Sequence, residues 1–327
     1  MGLKNIRFIG RHLNKEGRGY FSFSGSGFEF AIVPQSDSYS TTFVLTSELR
    51  EHDEQYIGIY VNDVFHSKEK LVAGLNRITI KLDGPQSYTV VRVIKYNEVY
   101  LSAIYLEDIL LENAIFGELK PLNKKLIGFF GDSITCGYGL DEFKGTGFKM
   151  SVENFSLTYA YLTAKALNLE YTVVARSGIS IGIKIWVDKL FNEIYDTVDM
   201  FEKCPVEHNL DYAVINLGTN DNSGYFQAAE DKEKALKEFH QEYTKLVDRI
   251  IEDNPNVKIV ISYGMCYLSD LFMDEIQKLY ENLSKKYKND FRIVEFVPND
   301  EGTDCHPYKT SHENNANLLI DAIKSFK

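Results

Sequence analysis

The sequence predicts two domains: an all-β sandwich over residues 1–120, and over 121–327 a three-layer α/β domain whose parallel sheet is covered on both faces. Three observations predict this. A chain of 327 residues is long enough for about two domains, at roughly 150 residues each. Before residue 120 the apolar residues recur with period two, in short runs broken by turn residues, as in strands with one buried face. After Pro121 apolar runs of strand length alternate with segments of helical spacing. Such alternation builds right-handed crossovers and a parallel sheet.

In order, residues 20–24, 28–32, 57–61 and 78–82 alternate, and 88–94 is rich in Val. Gly25-Ser26-Gly27, Asn62-Asp63, Gly74 and Asp83-Gly84-Pro85 supply turns between the runs. No stretch before 120 has helical spacing. The second domain reads as a strand at 125–131, a helix at 157–167 and strands at 171–175 and 210–217. A long amphipathic helix at 228–253, a strand at 257–263, a helix at 271–287, a strand at 291–297 and a helix at 314–326 complete it.

Lys and Arg number 36 against 47 Asp and Glu, a net charge of −11. Without a clustered basic run the chain is a poor partner for nucleic acid or an anionic membrane. Its apolar runs stop at about ten residues, short of the roughly 20 that span a bilayer. The N-terminal residues carry no apolar segment of signal-peptide type. Cys136, Cys204, Cys266 and Cys305 form no C-x-x-C pair. The expectation is a cytoplasmic protein with reduced thiols, no metal site, no cofactor and no evident protein partner.

In an open parallel sheet, reactive groups gather beyond the carboxyl ends of the strands. Gly131-Asp132-Ser133-Ile134-Thr135 follows the first strand of the second domain, and Ser177-Gly178 the second. Gly218-Thr219-Asn220-Asp221 follows the third, and Asp304-Cys305-His306-Pro307 the fifth. This set suffices for acyl transfer. Ser133 supplies a hydroxyl to attack and His306 an imidazole to take its proton. The amides of Ser133 and Gly178, with the side-chain amide of Asn220, would form an oxyanion hole. Asp132 is expected to brace its loop by accepting backbone amides, and Asp221 to tie down the third loop.

Each block alone also reads as ordinary turn or capping chemistry; their order along one sheet edge is what points to a site. Among seven histidines only His306 follows a strand end and precedes a proline. His12, His52 and His66 read as surface residues of the sandwich, and His208 as part of a polar loop. His240 reads as solvated on its helix, and His312 as a cap of the last helix. Gly178-Ile179-Ser180-Ile181-Gly182 matches the G-x-S-x-G nucleophile elbow, which needs a sharp turn directly after its strand. Ser180 instead lies five residues beyond Ala175, so this segment reads as a loop packing its isoleucines. Trp186, the single Trp, is either a sugar-binding ring or a core residue, and the core reading is favoured.

The four blocks, in this order over roughly 125–327, resemble those of SGNH (GDSL-type) hydrolases, whose fold is flavodoxin-like. A sandwich ahead of such a domain, with a segment such as Tyr88-Thr89-Val90-Val91-Arg92-Val93-Ile94-Lys95, is similar to carbohydrate esterase family two, the acetyl xylan esterase-like group. The resemblance implies a jelly-roll-like accessory domain and a cofactor-free serine esterase. Such an enzyme removes acetyl groups from carbohydrates such as xylo- or manno-oligosaccharides. The alternatives are a lipase, lysophospholipase or thioesterase of the same superfamily, and an inactive carbohydrate-binding protein. The lack of a long apolar insertion argues against the first group, and the presence of Ser133, Asn220 and His306 together against the second. One departure stands out. Most of these enzymes carry Asp-x-x-His, whereas Asp304-Cys305-His306 has one residue between. If the segment turns at Cys305, the Asp304 carboxylate reaches the imidazole. If not, a backbone carbonyl takes its place, as the resemblance allows. The expectation leans towards the carboxylate.

Overall fold

The computed structural model describes residues 3–49, 54–84, 87–99 and 102–326; His52 and Pro85 lie outside them. The chain forms two compact units, one of 1–123 with 198–204, the other of 124–197 with 205–327.

The first unit is built on β1 (Ile6–Ile9), β2 (Leu13–Lys15), β3 (Arg18–Phe21), β4 (Gly27–Pro34), β5 (Ser38–Leu49), β6 (Gln55–Val61), β7 (Val64–Leu71), β8 (Gly74–Asp83), β9 (Thr89–Lys95), β10 (Ser102–Glu112) and β11 (Ala114–Gly117). One sheet runs β1-β4-β9-β6-β7, with β11 also paired to β4. The other runs β2-β3-β10-β5-β8. Every pairing is antiparallel. Period-two patterning puts Phe28, Phe30, Ile57, Ile59, Val91 and Val93 of the first sheet in one core with Phe21, Phe43, Leu45, Ile104 and Leu106 of the second. On β4 the intervening Glu29 is also buried. It is tolerated there because Arg7 and Arg92 both pair with its carboxylate. The segment 198–204, read from sequence as part of the second domain, belongs to this unit. Val198 packs with Tyr20 and Ala103, and the Tyr20 hydroxyl donates to Asp199 at 2.5 Å.

The second unit alternates β12 (Leu126–Gly131), α1 (Ser133–Cys136), α2 (Tyr159–Ala166), β13 (Glu170–Ala175), α3 (Phe191–Ile194), β14 (Tyr212–Asn216), α4 (Thr219–Gln227), α5 (Lys232–Asp253), β15 (Lys258–Tyr263), α6 (Asp270–Lys286), β16 (Phe291–Glu295) and α7 (Lys309–Lys324). The five strands are parallel, in the order β13-β12-β14-β15-β16. β12, β13, β14 and β15 are apolar and almost wholly buried, as a sheet covered on both faces requires. The chain leaves β12 towards opposite sides of the sheet, to β13 and later to β14. A crevice for reactive groups therefore falls beyond the carboxyl end of β12. Two local readings differ from the sequence expectation. Residues 228–253 are not one helix, because the Asp231 side chain accepts the Lys234 amide and caps a fresh start at Lys232. Gly218-Thr219-Asn220-Asp221 is not a loop but the opening turn of α4. No described helix is long and apolar enough to cross a membrane.

Candidate active site

Ser133 opens α1 two residues past the end of β12. Asp132 is the N-cap, its Oδ1 accepting the Ile134 amide at 3.0 Å. A one-turn helix held between this cap and the left-handed Gly137 fixes the Ser133 backbone. The Ser133 hydroxyl lies 3.0 Å from Nε2 of His306. His306 follows a tight turn at Thr303–Cys305 and precedes α7. Burial lowers the His306 pKa from its usual 6.5, partly countered by hydrogen bonds to the backbone carbonyls of 303–304. The lowered pKa favours the neutral ring, the form that can accept the Ser133 proton.

The second imidazole nitrogen, Nδ1, faces the backbone carbonyl of Asp304 at 3.3 Å. This corrects the expectation that the carboxylate orients the ring. The chain does turn, with Asp304 at φ 51° and Cys305 at φ 61°. Two consecutive left-handed residues swing the carbonyl towards the imidazole and the side chain away from it. The carboxylate is taken up elsewhere: Oδ2 accepts the Tyr138 hydroxyl at 3.0 Å and Oδ1 the Gly147 amide at 2.8 Å.

Asn220 lies in the first turn of α4 and is buried. Its Nδ2 donates to the Ile179 carbonyl at 3.0 Å and, at a longer 3.4 Å, to Asp132 Oδ2. Asp132 thus both caps α1 and braces Asn220. Burial and the nearby Asp221 push its carboxyl up to about 7, against the pull of the Ile134 amide. Asp221 reaches further than the third loop. Its two oxygens accept the amides of Ile181, Gly182 and Ile183 at 2.7–3.0 Å, which ties down the segment after β13. Burial nevertheless raises its carboxyl to about 6. Gly178 heads that segment at φ 76°. A Cβ there would meet the Trp186 Cβ at 2.9 Å, so both the left-handed backbone and the close approach call for glycine. Trp186 itself is 61% exposed, not the core residue that was favoured. Tyr267, beyond β15, is another exposed ring.

Ser180 is buried, its carbonyl accepts the Phe191 amide, and its hydroxyl makes no hydrogen bond among the described residues. No base among the described residues hydrogen-bonds to it. Two other histidines depart from expectation. His312 is buried in α7, and its Nδ1 accepts the Tyr159 amide at 3.1 Å, so it caps α2 rather than its own helix. Burial drops its pKa to about 3 and keeps it a neutral acceptor. His240 is not simply solvated; its Nε2 lies 2.7 Å from Glu275.

Tyr138 and Phe148 went unnoticed in the sequence. The Tyr138 ring lies against His306 with centroids 4.2 Å apart, and Phe148 stacks on Tyr138 at 4.5 Å. The only signal was indirect: three aromatics, Tyr138, Phe143 and Phe148, in the glycine-rich stretch after Ser133. That loop approaches the His306 turn closely, and a Cβ on Gly139, at φ 61°, would lie 2.5 Å from the Thr303 Cβ.

This arrangement presents a hydroxyl, a base and amide donors at the carboxyl edge of one parallel sheet, the parts that acyl transfer needs. Comparison with known proteins agrees with the geometry. Cellulase/esterase CelE of Acetivibrio thermocellus is 30% identical over 63% of this chain, which spans only 26% of that protein. An acetylxylan esterase / glucomannan deacetylase of Cellvibrio japonicus is 22% identical over 98% of this chain and 88% of its own length. A family two carbohydrate esterase from Clostridium thermocellum, solved with cellohexaose, superposes with a TM-score of 0.86 at 22% identity, covering 98% of both chains. Its fold is therefore the fold of this chain. Residues 129–318, more than half of the sequence, match the GDSL-like Lipase/Acylhydrolase family, and the chain belongs to that family.

Proposed function

We propose that this protein is a serine esterase that removes acetyl groups from acetylated carbohydrates through an acyl-Ser133 intermediate. The observation that carries the reading is the 3.0 Å contact between the Ser133 hydroxyl and His306 Nε2, beside Asn220. In this mechanism His306 takes the Ser133 proton as Oγ attacks the acetyl carbonyl. The developing oxyanion is held by the amides of Ser133 and Gly178 and by Asn220 Nδ2, whose long contact to Asp132 yields to the stronger acceptor. Collapse expels the sugar hydroxyl, which takes its proton from His306. Water then repeats the sequence and releases acetate. The Asp304 carbonyl keeps the proton of the neutral imidazole on Nδ1, so that Nε2 faces Ser133. The exposed Trp186 supplies a ring face on which a sugar can pack.

The substrate class is supported by the names of the relatives, which include an acetylxylan esterase / glucomannan deacetylase. Preference for short acyl groups is supported by the absence of any long apolar insertion between the four blocks. The test is acetate release from acetylated xylan, mannan and glucose, alongside nitrophenyl acetate, butyrate and octanoate. The expected result is acetate from at least one acetylated sugar and turnover that falls steeply with acyl length. Turnover of octanoate equal to that of acetate would favour a lipid-directed acylhydrolase.

A further inference from the structure

We propose that Tyr138 is the positioning residue for His306: its ring backs the imidazole, and its hydroxyl fixes the turn whose carbonyl orients that ring. The inference rests on the reading of Ser133 and His306 as the reacting pair. It starts from a deficit in the site. A neutral carbonyl at 3.3 Å from Nδ1 steadies an imidazolium less than a carboxylate would, since hydrogen bonds to ionised groups are the stronger ones. Something else must hold the ring and favour its charged form as the proton arrives.

Tyr138 touches Ser133, His306 and Asp304 together. Its amide donates to the Ser133 carbonyl at 3.0 Å, which ties it to the first residue of α1. Its ring lies 4.2 Å from the His306 ring at an interplanar angle of 32°. Phe148, stacked at 4.5 Å and 21° on Tyr138, supports that ring. Its hydroxyl donates to Asp304 Oδ2, while the Gly147 amide takes Oδ1. The Asp304 amide in turn donates to the Gly145 carbonyl at 3.1 Å. Asp304 and Cys305 hold positive φ without being glycine, a conformation that persists only where surrounding contacts enforce it. The loop carrying Tyr138 supplies those contacts. An aromatic face also attracts a cation lying over it, so the stack stabilises the imidazolium more than the neutral ring. The other groups that act on His306 are Ser133, at its Nε2, the turned-away Asp304 carboxylate, whose charge favours the imidazolium, and, from α7, His312, whose charge would oppose it.

The test is steady-state kinetics on nitrophenyl acetate across pH for Tyr138→Leu, Tyr138→Phe, Asp304→Asn and the double variant Tyr138→Phe/Asp304→Asn, with Ser133→Ala as reference. Tyr138→Leu keeps an apolar side chain but loses both the aromatic face and the hydroxyl that bonds Asp304. It should lower kcat about tenfold or more, change KM little, and move the acid limb of kcat/KM down by about half a pH unit. Tyr138→Phe retains the stack, so its acid limb should stay in place while kcat falls severalfold. Because the hydroxyl acts through Asp304, the double variant should lose little more than Asp304→Asn alone. An unchanged kcat and acid limb in Tyr138→Leu would overturn the proposal. So would a lowered melting temperature with kcat and pH profile intact, or an effect confined to KM. If Tyr138→Leu does not fold, the Tyr138→Phe/Asp304→Asn cycle decides, and strict additivity overturns the proposal. Ser133→Ala separates the two readings. Retained activity there defeats the esterase reading itself, whereas an inactive Ser133→Ala beside an unaffected Tyr138→Leu defeats only the role of Tyr138.

Discussion

Two serines follow neighbouring strands of one parallel sheet, Ser133 after β12 and Ser180 after β13, and among the described residues only Ser133 meets a base. Both are buried, and both lie in glycine-bearing segments. Ser133 comes directly off its strand into a capped turn, with His306 3.0 Å from its hydroxyl. Ser180 comes five residues after Ala175, drawn inward with the buried Ile179 and Ile181, while Asp221 fixes the amides that follow it. A hydroxyl becomes reactive through where the strand ends and what caps the turn beyond it. The G-x-S-x-G pattern is met by Ser180, but the strand-to-helix turn that gives the pattern its meaning is not.

The largest expected effect tests this contrast directly. Ser133→Ala should lose at least about three orders of magnitude in kcat, as removal of a covalent nucleophile does; retained turnover would erase the distinction between the two loops. Next in size is Asn220→Ala, expected to lower kcat by roughly 10²–10³ with little change in KM, because its amide engages mainly the charged transition state. An effect on KM alone would reduce Asn220 to substrate binding.

Asp304→Asn compares a carbonyl-oriented histidine with a carboxylate-oriented one. Where a triad carboxylate holds the imidazole, the amide replacement costs about 10⁴ in kcat. Here it should cost roughly tenfold or less, because Asn tolerates the left-handed backbone and only the bonds from Tyr138 and Gly147 are disturbed. A loss of several thousandfold would return the carboxylate to a direct role.

The pH profile gives a smaller shift. A base acts only when neutral, and burial lowers the His306 pKa. The acid limb of kcat/KM should therefore fall below pH 6.5, with activity retained further into acid than an unperturbed imidazole would allow. A limb above pH 6.5 would mean that another group controls it. Smallest of all is Ser180→Ala, which should leave kcat within about twofold. Because its buried hydroxyl has no partner in the described residues, the change should be neutral or stabilising, by up to about 1 kcal/mol in chemical unfolding.

The sheets were legible because period-two alternation at 28–32 and 57–61 and the apolar run at 125–131 follow directly from which faces are buried. The edge at which Ser133, Gly178, Asn220 and His306 gather was legible because parallel strands align their carboxyl ends. The Asp304 turn was not. Neither Asp304 nor Cys305 is glycine, so nothing marked the positive φ that turns the carboxylate away. Tyr138 was invisible for a related reason: its contact with His306 comes from the approach of two loops distant in sequence, which no local spacing encodes. The α4 start was missed because Gly218-Thr219-Asn220-Asp221 reads equally well as a turn. The segment 198–204 was assigned to the wrong unit because its tie to the sandwich depends on Tyr20, far away in the chain.

Peptide mapping by mass spectrometry after reaction with a fluorophosphonate tests the central claim most directly, since such a reagent phosphonylates a serine only where a base activates it. The account predicts a single adduct on the peptide bearing Ser133, absent in His306→Ala and unaffected in Ser180→Ala. An adduct on Ser180, or full labelling of Ser133 in His306→Ala, would contradict it.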